Sequence, residues 1–179
     1  MSRVTMLVMN DMTADARVDR EARSLAGAGH DVEVLALRSP RVPECEDTGA
    51  YVVRRVGEST QASLRQPLRK LAERRARGRA LQTAVLDSAP PVVHCHDTDT
   101  LDIGASAARQ LGVPYVYDAH ELYPDSLAQR SFQGSAPVQA YLRGVERRLV
   151  PGAAAVITVS DGAARVLAER YGVAPVIVA

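Results

Sequence analysis

Short apolar runs alternate along this chain with segments of helical period, and that alternation narrows the fold more than any other feature. Val4–Met9 is continuously apolar, as expected of a strand covered on both faces of a parallel sheet. A helix over Ala16–Ala28 follows, with Val18, Ala22, Leu25 and Ala26 at helical spacing. Asp15 is its N-cap candidate, and Gly27 and Gly29 its C-cap candidates. Val32–Leu37 reads as the next strand, which closes a right-handed βαβ unit. Further strands are expected at Tyr51–Val56 near a sheet edge, Pro91–Cys95, Val113–Tyr117, Ala155–Val159 and Pro175–Val178.

Helical segments fill the gaps. Leu64, Leu68, Leu71, Ala72, Ala76, Ala80, Ala84 and Val85 form an apolar stripe, with Pro67 near the helix start. Asp97, Thr98, Asp99 and Thr100 offer caps for a helix that reaches about Gln110 and ends at Gly112. Val138–Leu149 and Asp161–Tyr171 complete the set. The expected architecture is α/β and Rossmann-like: a doubly wound, mostly parallel sheet of about seven strands with helices on both faces. At 179 residues, 46% hydrophobic and 24% charged, one domain spanning 1–179 is expected, with a sizeable core. No apolar run is long enough to span a bilayer and no signal-peptide pattern opens the chain, so a cytoplasmic location is expected.

Two cysteines, Cys45 and Cys95, lack the spacing of a disulfide framework or a zinc ribbon. The net charge of +1 conceals a patterned distribution. Arg65, Arg69, Lys70, Arg74, Arg75, Arg77 and Arg79 are opposed in their window only by Glu73, a local +6 on a remainder of −5. An arginine-coated solvent face and a surface for anionic membrane both fit this stretch. Nucleic acid fits it poorly, because no aromatic residues interleave the arginines.

Ligands of open α/β sheets bind beyond the carboxyl ends of the strands, so the polar residues there carry the functional reading. The loop after the first strand has no glycine, and the glycine fingerprint that brings backbone against a pyrophosphate follows no strand. What remains is a helix N-terminus, itself an anion-binding device, with Asp15 capping it and Arg17 beside it; a solvated Arg17 is the plain alternative. Pro91–Cys95 leads into His94-Cys95-His96-Asp97, where alternation puts both histidines on one side and Cys95 on the other. No metal site is expected from these three residues. Asp97 and Asp99 form a D-x-D pattern of the kind that can hold a divalent cation, and helix capping explains both carboxylates more cheaply. The next strand breaks at Asp118-Ala119-His120-Glu121, a cluster suited to general acid or base work or to a hydrogen-bonded turn.

Taken together, Asp15–Ala22, Leu25–Val32, His94–Asp97 with Asp99 and Thr100, Val116–Pro124 and Ala155–Ser160 resemble the N-terminal domain of family 4 glycosyltransferases. The resemblance implies one half of a GT-B fold: two Rossmann-like domains facing across a cleft and transferring a sugar with retention, without an essential metal or other cofactor. It implies a nucleotide-sugar donor and a glycan, lipid-linked or small-molecule acceptor. His120 matches the family histidine that approaches the donor sugar, and so takes the catalytic role. Asp15 and Arg17 match the element near the donor diphosphate, while His96, Asp97 and Glu121 line the cleft. No two glutamates stand eight positions apart, so the family's C-terminal glutamate motif is absent. The expectation is a domain that lacks its donor-binding partner in cis and does not turn over alone. In lipid-acting relatives a basic surface meets the inner face of the membrane, which extends to the arginine-rich helix here. The alternatives are a non-catalytic Rossmann-like binding module, or a metal-dependent GT-A transferase using Asp97 and Asp99.

Overall fold

A computed structural model describes residues 1–57, 67–122 and 136–178, with the side chains of 67–71 and 136–137 excluded. The first strand, β1 (Arg3–Leu7), divides its side chains between two cores, as period-2 alternation requires. Val4 and Met6 pack on one face with Val18 and Ala22 of α1 (Ala16–Gly27). Leu7 packs on the other with Leu81 and Val85 of α2 (Pro67–Ser88) and Leu101 of α3 (Thr98–Leu111). The remaining elements are β2 (Asp31–Leu37), β3 (Cys45–Asp47), β4 (Val52–Val56), β5 (Val93–His96), β6 (Tyr115–Ala119), α4 (Ala136–Leu149), a 3-10 turn at Val150–Gly152, β7 (Ala155–Thr158), α5 (Asp161–Tyr171) and β8 (Val176–Ile177).

The strands form one sheet in the order β3-β4-β2-β1-β5-β6-β7-β8, parallel throughout except where β3 pairs antiparallel with β4. Strand order reverses direction between β1 and β5, so the loops leaving these two strands part and open a crevice.

The doubly wound, mostly parallel sheet expected from the sequence is present, with eight strands among the described residues where about seven were expected. The extra one, β3, is Cys-Glu-Asp and fully exposed, so no apolar alternation announces it. It exists because β4 offers an edge. Strand β6 runs on through Asp118 and Ala119 where a break was expected, since both still pair with β7. Only the C-terminal part of the expected α2 stripe is buried: Ala84 and Val85 join the core and Ala80 is half-buried, whereas Ala72 and Ala76 are exposed; Leu81, outside the expected stripe, also enters the core. Leu64 lies outside the described residues, as do the side chains of Leu68 and Leu71.

Caps mark the helix ends. Asp15 accepts from Val18 N at 3.2 Å and Ser160 from Ala163 N at 3.2 Å. Gly112 closes α3 at φ +69.

Gly104 sets the distance between α3 and the sheet. A Cβ there would overlap Cys95 Sγ and lie 2.9 Å from Leu7 Cδ1, both in the packed core. Gly104→Ala is therefore expected to destabilise by about 1–3 kcal/mol, despite alanine's better helix propensity. Urea denaturation measures it, and an unchanged midpoint would show that α3 shifts freely.

Candidate functional site

The face of the sheet that carries α1 becomes polar at the carboxyl ends of β5 and β6. Alternation sends Val93 and Cys95 into the apolar core beneath α3 and leaves His94 and His96 on the opposite side. The two imidazoles stack with ring centroids 4.3 Å apart. In the same way Tyr117 and Ala119 enter the core and Asp118, fully buried, faces the histidines. One turn into α1, Arg17 and Glu21 stand at i, i+4 on the helix face that meets them.

Arg17 is not the solvated arginine of the plain alternative: it reaches across the crevice, Nη2 meeting Asp118 Oδ1 at 3.0 Å and Nε meeting Glu21 Oε1 at 2.9 Å. The other oxygen of Asp118, Oδ2, accepts from His120 Nε2 at 3.0 Å and lies 3.4 Å from His96 Nδ1. His96 Nδ1 and His120 Nε2 are themselves 3.0 Å apart. His120 Nδ1 is the ring nitrogen left toward the crevice, with Asp97 Oδ2 at 3.8 Å.

Asp97 occupies the N-cap position of α3 without capping it. Its backbone sits at φ +61, an uncommon conformation for a residue with a Cβ, and its N–H donates to Asp118 O at 2.9 Å. The capping explanation of this carboxylate therefore fails: Asp97 is held in a strained conformation beside His120 instead. Asp99 lies elsewhere. With Arg74, Arg75, Arg79, Asp102 and Tyr141 it lines a groove of about 670 Å³ between α2, α3 and α4. Asp97 and Asp99 thus serve different surroundings, as two residues apart on a helix should.

Burial and mutual charge set the protonation states. Burial, then its neighbour His96, holds His94 well below the usual imidazole range, and burial also lowers His96. Burial raises Glu21 to about 7, reinforced by the Asp118 charge and partly offset by Arg17. Burial likewise pushes Asp97 up to about 7, against the opposing pull of His120. For Asp118 burial works in the raising direction, yet hydrogen bonds from His120 and His96 win and hold it well below the carboxylate range. His120 is raised: burial opposes its charge, while the Asp118 hydrogen bond and the Asp97 charge outweigh that. The arrangement is an ionised buried carboxylate orienting a readily protonated histidine, which leaves one ring nitrogen for a ligand.

A second buried carboxylate braces this site from behind. Glu146 of α4 accepts from Thr98 Oγ1 at 2.7 Å, Tyr117 OH at 2.8 Å and Tyr171 OH at 2.5 Å, joining α3, β6 and α5. Thr98 directly follows the strained Asp97. Glu146→Gln keeps the shape and loses an acceptor, so a loss of about 1–3 kcal/mol is expected in thermal melts. No loss would mean that the hydroxyls find other acceptors.

Of the residues singled out in the sequence, Arg17, His96, Asp97 and His120 converge. Asp15 spends both carboxylate oxygens within the chain, one on the cap and one on Asn10 Nδ2 at 2.7 Å. Glu121 is exposed just beyond β6. Arg74, Arg75 and Arg79 are exposed on α2, and Arg77 is half-buried. Arg65 and the side chains of Arg69 and Lys70 lie outside the described residues, as do Tyr123 and Pro124. Sequence reasoning misses Glu21 and the site role of His94, and reaches Asp118 only as part of the cluster at the end of its strand, although strand alternation and the Arg17–Glu21 spacing carry the signal. Among the described residues, Glu21, His94, His96 and Asp118 are the group able to hold a metal ion.

Residues 15–179 match the family described as Glycosyltransferase Family 4. No curated protein matches the chain. Among solved structures, sucrose-phosphate synthase from Thermosynechococcus elongatus is similar at TM-score 0.69 and 16% identity over 96% of this chain and 45% of that one. A UGT transferase from Siraitia grosvenorii in complex with UDP aligns at TM-score 0.62 and 12% identity, over 99% of this chain and 50% of that one. HepE from Anabaena in complex with UDP-glucose aligns at TM-score 0.55 and 17% identity, over 97% of this chain and 42% of that one. The chain thus spans half or less of the length of each of these proteins.

Proposed function

Because the chain belongs to glycosyltransferase family 4, we propose that it is the N-terminal, acceptor-side half of a GT-B enzyme that moves a sugar from a nucleotide-sugar donor with retention of configuration. The observation that carries this reading is the Asp118–His120–Asp97 array beside Arg17, set at the carboxyl edge of the sheet where strand order reverses. His120 is assigned to the donor sugar and Arg17 to negative charge that develops on the departing diphosphate. His96, Asp97 and Glu121 line the cleft, and Asp15 holds the α1 terminus in place. The nucleotide-sugar class is supported by the UDP and UDP-glucose seen in similar structures. The acceptor is a glycan, a lipid-linked sugar or a small molecule, and turnover needs no divalent cation.

Most of the charge stabilisation for the departing nucleotide belongs to a second domain in cis, with Arg17 only adding to it, so residues 1–179 alone are expected to be inactive. The test is sugar transfer by a chain extended through that second domain, with the anomeric configuration of the product read by NMR. A retained anomer, together with silence from residues 1–179, supports the reading. An inverted product, or transfer by residues 1–179 alone, overturns it.

The basic face of α2 is proposed to rest on anionic membrane at the cytoplasmic side. Arg74, Arg75 and Arg79 are exposed together on α2, which gives a basic surface, and each basic residue near such a membrane contributes about 1 kcal/mol. Among the described residues no helix is long and apolar enough to cross a membrane. Vesicle co-sedimentation is expected to be stronger with anionic than with neutral lipid, and to fall with Arg74→Glu/Arg75→Glu. Equal binding removes the membrane contact.

A further inference from the structure

We propose that Glu21, His94, His96 and Asp118 form a binding site for a first-row divalent transition metal, zinc above all, that competes with the catalytic arrangement of His120. One donor atom from each residue lies within 4.8 Å of the others. His96 Nδ1 is 3.4 Å from Asp118 Oδ2 and 3.9 Å from Glu21 Oε2, and His94 Nε2 is 4.0 Å from Asp118 Oδ2. A tetrahedral ion with bonds of about 2.1 Å needs donors about 3.4 Å apart, so the pairs at 3.9 and 4.0 Å close by roughly half an ångström and the widest pairs, up to 4.8 Å, by about 1.4 Å to complete the site.

Three independent features support it. His94 is 5% exposed and its Nε2 has no hydrogen-bond partner, although it points at Asp118. Buried lone pairs left in this way call for a water or an ion. Arg17 grips the outer oxygens, Asp118 Oδ1 and Glu21 Oε1, and so leaves the inner ones turned to the histidines, as an outer-shell partner orients metal ligands. Two neutral imidazoles with two carboxylates select zinc, cobalt or nickel over magnesium or calcium.

The bound ion takes Asp118 Oδ2, which otherwise accepts from His120 at 3.0 Å. His120 then loses its orienting partner, and zinc lowers turnover. This inhibition rests on the transfer reading; the binding does not. The closing experiment is therefore made on residues 1–179 with the metal alone. Titration with cobalt is expected to give the intense visible absorption of a four-coordinate ion, saturating at one equivalent and displaced by zinc but not by magnesium. His94→Gln and Glu21→Gln, each checked for retained fold by circular dichroism, should weaken cobalt binding at least tenfold. Absence of the four-coordinate spectrum in the parent chain overturns the proposal, as does an unchanged titration in both folded variants.

Discussion

His120→Ala, made in a chain extended through the proposed second domain, is expected to lower kcat/KM by about 10²–10⁴-fold while the protein keeps its fold. The ring is 15% exposed at the rim of the crevice, so its removal opens no closed cavity. Asp118 keeps Arg17 at 3.0 Å and His96 at 3.4 Å as partners, so the carboxylate is not stranded. What disappears is the nitrogen that faces the crevice, together with the charge that Asp118 and Asp97 favour on it. His120→Gln separates two contributions. If hydrogen bonding to the donor suffices, glutamine restores part of the rate; if positive charge or proton transfer is required, it stays near the alanine level. Near-normal turnover by His120→Ala, with circular dichroism unchanged, would remove His120 from the mechanism.

This histidine was legible in the sequence because two kinds of signal met on it: a strand ending in titratable residues, and a resemblance that covers most of the chain. The sidedness of His94 and His96 was legible too, because period-2 alternation is a property of any strand. Asp97 was harder. Its residue type suits a cap, and nothing in its identity announces φ +61 or the hydrogen bond from Asp97 N to Asp118 O on the neighbouring strand. At Asp118 polar residues end the apolar run, so local sequence predicts a break there and not a continuing strand. The register with Ile157 carries the strand through it, and pairing of that kind lies outside local sequence. Strand β3 shows the same limit, being three polar residues given strand conformation by β4. Ala72 and Ala76 failed for the opposite reason: small apolar residues fit a helical stripe whether or not a partner covers them.

Asp118→Asn is expected to cost about 3 kcal/mol of stability, a drop of roughly 6–12 °C in melting temperature for a chain of this size. The substitution is nearly isosteric, so packing barely changes and the effect is electrostatic. Ionised Asp118 is the buried counter-charge of Arg17 and the acceptor for His120. Without it, Arg17 is left with Glu21 at 2.9 Å, a carboxyl that burial holds back from ionising, and His120 loses the hydrogen bond that favours its charge. Breaking one partner of a buried pair leaves the other uncompensated, and that penalty exceeds the worth of the pair itself. A double-mutant cycle isolates the cause. Arg17→Met removes the stranded cation, so Arg17→Met/Asp118→Asn should be more stable than the sum of the single losses by about 1–3 kcal/mol. Additive losses would mean that Arg17 and Asp118 are solvated separately, and the crevice would then lack the preorganised charge on which both the transfer chemistry and the proposed metal site depend.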